Sequence, residues 1–147
     1  MKTRIEHDLL GDLEVPADAW YGIQTRRALD NFTITGVPIS HFPPLIRALA
    51  MVKSAAARAN RDLGVLAPHK AEAIIAACDD IIGGALHDQF VVDLIQGGAG
   101  TSTNMNANEV IANLALTKLG HQKGEYAYLH PNDDVNRSQS TNDAYPT

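Results

Sequence analysis

A glycine-rich segment followed by small polar side chains offers the first candidate site. Glycines at positions 97, 98 and 100 let the backbone approach a ligand closely, and hydroxyl and amide side chains follow from Thr101 to Asn108. An apolar helical pattern comes next, so these groups would lie at a helix N-terminus, where unpaired N–H groups attract anions. The segment lacks the lysine of a phosphate loop. It suits a small carboxylate held by neutral donors rather than by a fixed cation.

A purely structural interpretation of the same segment is equally open. Asn106 would cap the helix, and Glu109, three residues later, would complete a capping box. The glycines would then serve only a tight turn. The residues of this segment do not decide between the two interpretations.

A second polar stretch, residues 129–147, offers another candidate. Pro131, Asn132 and Asp133 are turn formers, and Ser140 with Asp143 resembles a capping box. A helix cap with no helix behind it has no local purpose. We therefore expect this chain to be the front portion of a longer protein.

Other reactive residue types give weaker signals. The six histidines show no metal-ligand spacing, so no metal site is predicted. Cys78, the single cysteine, falls on an apolar helix face and is predicted to be a core residue rather than a nucleophile. One cysteine cannot form an internal disulfide, which favours a reducing, cytoplasmic location.

Composition narrows the class of protein further. The chain has 147 residues, 45% of them apolar, and 12 basic against 17 acidic residues give a net charge of −5. That length predicts about one domain. The absence of a basic cluster argues against nucleic acid or an anionic membrane as a partner, and no apolar run is long enough to span a bilayer. Abundant alanine and few aromatic residues favour a mostly helical fold.

The first elements that must position the polar segments are short. Residues 4–15 predict a β-hairpin that turns at Gly11 and Asp12. Residues 24–31 predict a short helix with Ala28 and Leu29 facing inward.

Three longer helices follow, each marked by an apolar stripe and by a proline or glycine at an end. The first begins at Pro44 and stops at Gly64. The second runs from Pro68 to Gly83, and the third begins within residues 103–106 and ends at Leu119. Their predicted inward residues are Leu45, Leu49, Val52, Ala56, Ala59 and Leu63; Ala71, Ile74, Ile75, Cys78, Ile81 and Ile82; and Val110, Ile111, Leu114, Ala115 and Leu119.

Taken together, the motifs resemble a known family. They are G-A-G-T-S-T-N-M-N (residues 98–106), N-E-V (108–110), P-N-D (131–133) and Q-S-T-N-D (139–143). Over essentially its whole length the chain is similar to the N-terminal domain of the aspartase/fumarase superfamily. The resemblance implies a mainly α fold with a small N-terminal β-hairpin. It also implies that residues 1–147 form that domain, without the central helical bundle and the C-terminal domain.

Within the superfamily the motifs resemble the aspartase versions more than the fumarase versions. The sequences G-A-G-T-S and S-T-N-D-A-Y-P-T are typical of aspartases. His130 and Ser138 are more typical of fumarases, and Asp134 stands where both branches usually carry histidine. A class II fumarase is therefore the alternative.

The resemblance implies reversible anti-elimination of ammonia from L-aspartate to give fumarate, without an organic cofactor. Thr101, Ser140 and Thr141 would hold the β-carboxylate, and Asn142 would lie beside the amino group. The chain lacks the G-S-S-x-M-P-x-K-x-N loop that supplies the serine base, so no catalytic base is assigned here and the chain alone is expected to be inactive. In this family each site is built from three subunits of a homotetramer. A non-catalytic module that binds dicarboxylates or only supplies packing surface is a further alternative.

Overall fold

A two-stranded hairpin precedes the helices in the computed structural model, which describes residues 2–31, 35–94 and 100–139. Strand β1 (Thr3–Asp8) pairs antiparallel with β2 (Gly11–Pro16), as predicted. The turn differs from the prediction, because Asp8 pairs with Gly11 and the loop is Leu9-Leu10. The Asp8 carboxylate accepts the Leu10 N–H at 2.9 Å, and Gly11, at φ 115°, lets the chain re-enter the sheet.

The first helix, α1 (Ile23–Asn31), begins directly after Gly22. Ala28 is buried as predicted, whereas Leu29 is only half-buried. The guanidinium of Arg27 donates two hydrogen bonds of 2.9 Å to the Asp8 carboxylate and so ties α1 to the hairpin.

Helix α2 (Pro43–Asp62) forms where it was predicted, but its predicted inward stripe is only partly confirmed. Leu49 is buried, and the other predicted residues are half-buried or exposed. Leu63, the last residue of that stripe, is 76% exposed. The buried face is rotated by about one residue and includes two polar side chains, Lys53 and Asn60. They turn inward because residues 136–139 supply their hydrogen-bond partners, and Asn60 donates to the Arg137 carbonyl at 2.8 Å. The buried residues of the helix are Ile46, Leu49, Ala50, Lys53, Ser54, Ala57 and Asn60.

Helix α3 (Pro68–Ile82) packs against α2 and matches its prediction. Of its predicted inward residues, Ala71, Ile74, Cys78 and Ile81 are buried and the other two are half-buried. Burial raises the pKa of the Cys78 thiol to about 12. Cys78 is therefore a core residue. The neighbouring Asp80, which no local pattern explains, pairs with Lys118 at 2.7 Å.

Helix α4 (Thr101–Lys118) is the central element, with α1, α3 and the turn at Pro131–Val135 packed around it. It begins at Thr101, earlier than the predicted range of 103–106. Val110, Ile111 and Ala115 are buried as predicted, while Leu114 and Leu119 are half-buried. The mainly α prediction with a small N-terminal hairpin is confirmed. No helix in the described ranges is long and apolar enough to cross a membrane.

Candidate functional site

Thr101, the first predicted ligand of a carboxylate, is the first residue of α4 and is exposed. Gly100 precedes it in the left-handed region, at φ 82°, which a glycine adopts without strain. Within the described residues, the Asn104 N–H donates to the Gly100 carbonyl at 3.0 Å. The N-terminal end of a helix carries partial positive charge, so the start of α4 favours an anion.

The capping-box interpretation of this segment is wrong. Asn106 lies inside α4 and is fully buried, with its amide oxygen accepting the Val91 N–H at 2.9 Å and its amide nitrogen donating to the Gln89 carbonyl. Glu109 does not turn back to Asn106 but reaches helix α1. Neither residue caps α4, and Thr101, its first residue, is exposed.

A buried lysine contacts the first turn of α4. The Lys53 ammonium, 1% exposed, donates to Asn104 Oδ1 at 2.6 Å and to Asn136 Oδ1 and Gln139 Oε1 at 2.9 Å. Asn104 also donates from its amide nitrogen to Asn136 Oδ1 at 3.1 Å. These contacts join the first turn of α4 directly to residues 136–139.

Burial lowers the pKa of Lys53 to about 8, with the Cys78 thiol as a smaller opposing influence. The three acceptors are neutral, so they satisfy the ammonium donors without compensating the charge. Sequence reasoning missed this cation and expected only neutral donors. The available signal was a lysine that interrupts the apolar face of an alanine-rich helix.

The turn at Pro131–Val135 confirms the turn chemistry predicted for the second polar stretch. His130 Nδ1 accepts the Asn132 N–H at 3.0 Å, and the Asp134 carboxylate accepts the His130 N–H at 2.8 Å. Lys70 lies 3.3 Å from Asp134. Asp134 therefore stabilises this turn through both contacts.

The other predicted ligands, Ser140, Thr141 and Asn142, lie outside the described residues. The structure joins Asn104, one helical turn after Thr101, to Gln139 in one hydrogen-bonded cluster, which consists of Lys53, Asn104, Asn136 and Gln139. Ser140 follows Gln139 directly in the sequence. Whether Thr101 meets Ser140, Thr141 and Asn142 therefore stays a prediction.

Glu109 forms a second buried polar centre, on the side of α4 that faces α1. Its carboxylate accepts the N–H groups of Gln24 at 2.9 Å and Thr25 at 2.8 Å, and the Thr25 hydroxyl at 2.6 Å. Desolvation raises its pKa to about 7 against the opposing effect of these bonds, and the nearby Glu6 adds to the rise. Glu109 therefore stabilises the N-terminus of α1.

A cavity of 540 Å³ borders Glu109 on its outer side. It lies between the hairpin turn, the start of α1 and the turn at Pro131–Val135. No group of three or more His, Cys, Asp or Glu side chains in the described ranges is arranged to hold a metal ion. The residues that line the cavity are His7, Asp8, Leu9, Leu10, Ile23, Gln24, Glu109, Tyr126, His130, Pro131 and Asn132.

Comparisons with known proteins agree with this architecture. A family model described as lyase matches residues 11–147. The aspartate ammonia-lyase of Pseudomonas aeruginosa is 70% identical over 145 residues, which are 99% of this chain and 31% of the relative. The aspartate ammonia-lyase of Escherichia coli K12 is 60% identical over 145 residues, which are 98% of this chain and 30% of the relative.

Solved structures share the fold closely. The fumarate lyase:delta crystallin of Brucella melitensis superimposes with a TM-score of 0.97 at 62% identity, over 99% of this chain and 34% of that chain. The class II fumarase of Schistosoma mansoni gives a TM-score of 0.90 at 36% identity, over 99% of this chain and 30% of that chain. The chain thus spans about a third of the length of its relatives. With the glycine-led start of α4, the turn at Pro131–Val135 and the family match over residues 11–147, the chain belongs to the aspartase/fumarase superfamily of lyases.

Proposed function

We propose that the complete protein containing this chain is an aspartate ammonia-lyase, which converts L-aspartate reversibly to fumarate and ammonia. The observation that carries the proposal is the Lys53 cluster, which joins the first turn of α4 to the residues directly before Ser140. Identities of 60–70% to aspartate ammonia-lyases, against 36% to a class II fumarase, favour this activity over hydration of fumarate.

The chemistry requires a site that stabilises a gain of negative charge. Removal of a proton from Cβ turns the adjacent carboxylate into a dianionic enediolate, so its donors must bind the transition state more strongly than the ground state. Thr101 would donate from the start of α4, where the helix dipole favours an anion. Ser140 and Thr141 would bind the same carboxylate, and Asn142 would contact the amino group.

We assign residues 1–147 to the N-terminal domain of this lyase and place its site at a junction of three subunits of a homotetramer. The serine base would come from a loop whose motif this chain does not contain, so the chain alone would be inactive. The reaction would need no organic cofactor, and the single cysteine favours work in the cytoplasm.

A direct assay tests the proposed activity. The complete protein, purified, would be given L-aspartate or L-malate while fumarate is followed by its ultraviolet absorbance. We expect fumarate from aspartate and little from malate. The reverse preference would identify a fumarase, and no product from either would contradict the proposal.

The non-catalytic alternative has its own measurement. Succinate or aspartate would be titrated into the complete protein while the unfolding temperature is recorded. A ligand that binds only the folded state raises that temperature. No shift at high concentration, together with no turnover, would favour a packing module.

A further inference from the structure

The ammonium group of Lys53 has no carboxylate partner among the described residues. It donates instead to three side-chain amides, and it is 1% exposed. Burial of a charge without a compensating charge costs free energy, so an apolar side chain would serve a purely structural position better. The position of Lys53 therefore calls for a role beyond filling the core.

The acceptors of Lys53 come from the two chain segments that carry the candidate site. Asn104 lies one helical turn after Thr101, and residues three apart in a helix share a face. Asn136 and Gln139 belong to the segment that runs into Ser140. Asn136 also donates to the Gln139 carbonyl at 3.1 Å, which closes this segment on itself. The Lys53 ammonium group thus joins the first turn of α4 to residues 136–139.

We propose that Lys53 is a positioning residue of the lyase site, whose ammonium group holds the start of α4 and residues 136–139 in the relative placement that carboxylate binding needs. The inference rests on the function proposed above. Lys53 acts through Asn104, Asn136 and Gln139, and its positive charge adds to the potential at the N-terminus of α4.

The surroundings of Lys53 make its hydrogen bonds to the three amides dependent on pH. The Cys78 thiol faces it from α3, and its own pKa is raised to about 12, so it stays neutral at pH 8. Helix α4 and residues 136–139 present only amides to the ammonium group. Loss of a proton leaves two N–H donors for three acceptors, so one contact must weaken as the pH rises through the pKa of Lys53, about 8.

The first test replaces Lys53 in the complete protein. Lys53→Met keeps the length of the side chain and removes its charge and donors. We expect kcat/KM for aspartate to fall about tenfold or more, because small misplacements of binding groups are costly. We also expect faster amide hydrogen exchange in a peptide covering residues 136–139. Lys118→Met, at the far end of α4, is the matched control and should change neither measurement.

Two results would overturn the proposal. One is unchanged exchange in residues 136–139, which would show that Lys53 does not hold them. The other is faster exchange with unchanged kcat/KM, which would show that the tie does not serve the site. Hydrogen exchange needs no turnover. It therefore still shows whether Lys53 holds residues 136–139 in place if the complete protein makes no fumarate from aspartate. That last result alone would contradict the proposed function.

A second variant keeps the proposal testable if Lys53→Met does not fold. Asn136→Asp gives Lys53 a carboxylate partner at the cost of the amide bond to the Gln139 carbonyl. An opposite charge this close raises the pKa of a lysine by about one unit or more. We expect kcat/KM of the unchanged protein to fall as the pH rises through about 8, where Lys53 loses its proton, and this alkaline limb to move upward by a similar amount in Asn136→Asp. A limb that stays in place would contradict the positioning role.

Discussion

Glu109 Oε1 lies 2.6 Å from the hydroxyl oxygen of Thr25, although the two residues are 84 positions apart in the chain. The same oxygen accepts the Thr25 N–H at 2.8 Å. A carboxylate from the middle of α4 therefore caps the first turn of α1, and it replaces the local cap that α1 lacks. This contact joins the hairpin region to the helix that begins at the candidate site.

The space around Gly22 predicts a large loss of stability on substitution. A Cβ added there would clash with the Tyr126 hydroxyl and would lie 2.6 Å from Glu109 Oε2 and 2.7 Å from Glu6 Oε1. We expect Gly22→Ala to lower the free energy of unfolding by about 1–3 kcal/mol, since the crowded groups are held by hydrogen bonds. Chemical denaturation measures the change.

Gly83→Ala is the control for that substitution. Gly83 has φ −73°, and its nearest neighbour to an added Cβ is a carbonyl oxygen at 3.4 Å. We expect Gly83→Ala to change the free energy of unfolding little. Equal losses in the two variants would contradict the crowding at Gly22.

The raised pKa of Glu109 predicts a dependence of stability on pH. The folded protein holds this proton up to pH about 7, whereas an ordinary glutamate releases it near 4.5. The folded state therefore binds more protons between these values, and the free energy of unfolding falls as the pH rises across them. The difference between wild type and Glu109→Gln should drop by up to about 3 kcal/mol from pH 4.5 to 7 and then level off. A flat difference would be incompatible with a protonated Glu109.

Lys53 predicts the opposite trend at higher pH. Its pKa is about 8 in the folded protein and 10.5 as an ordinary lysine, so the unfolded state binds more protons between those values. The free energy of unfolding should therefore rise with pH in that window, relative to Lys53→Met, by about 1.4 kcal/mol for each pKa unit. Denaturation of both proteins at pH 7.5 and 10.5 checks the sign. A declining difference would contradict the lowered pKa.

Thr101→Ala tests the proposed donor at the start of α4. Loss of a transition-state donor should reduce turnover of aspartate by the complete protein about 10²-fold or more. Thr141→Ala should act alike. Thr117→Ala is the control, because the Thr117 hydroxyl donates only to the Leu114 carbonyl at the other end of the helix. Near-normal kinetics in Thr101→Ala and Thr141→Ala would remove both residues from the carboxylate site.

Asn108 predicts a gain in stability on substitution. Its amide oxygen and nitrogen are buried with no hydrogen-bond partner among the described residues. Leucine has a similar shape and removes both unsatisfied groups, so Asn108→Leu should raise the free energy of unfolding by about 1–3 kcal/mol. Asn113→Leu is the contrasting variant. The Asn113 amide donates to the Trp20 carbonyl at 2.8 Å, so this substitution should lower the free energy of unfolding. A destabilised Asn108→Leu would show that its amide is satisfied in solution.

Local patterns in the sequence predicted the elements and part of the core. Apolar periodicity with proline and glycine at the ends located α2 and α3, because a helix must bury one continuous face and must start and stop at residues that permit it. The same patterns predicted that Cys78 is a core residue and that the chain turns at residues 131–133, within the observed turn at Pro131–Val135. The family was also recognisable from short motifs, since each motif places rare residue types at fixed spacing.

Tertiary structure decided how the polar side chains are used. One interpretation of the sequence spacing made Asn106 and Glu109 a cap on their own helix, but both bind partners in other parts of the chain. The inward face of α2 was misjudged for the same reason, because hydrophobicity alone turns Lys53 outward. Local sequence patterns indicate which side chains are apolar enough to be buried. A buried amide, carboxylate or ammonium group is stable only where other residues supply its hydrogen bonds. Those residues are distant in the sequence, so only the assembled fold brings them together.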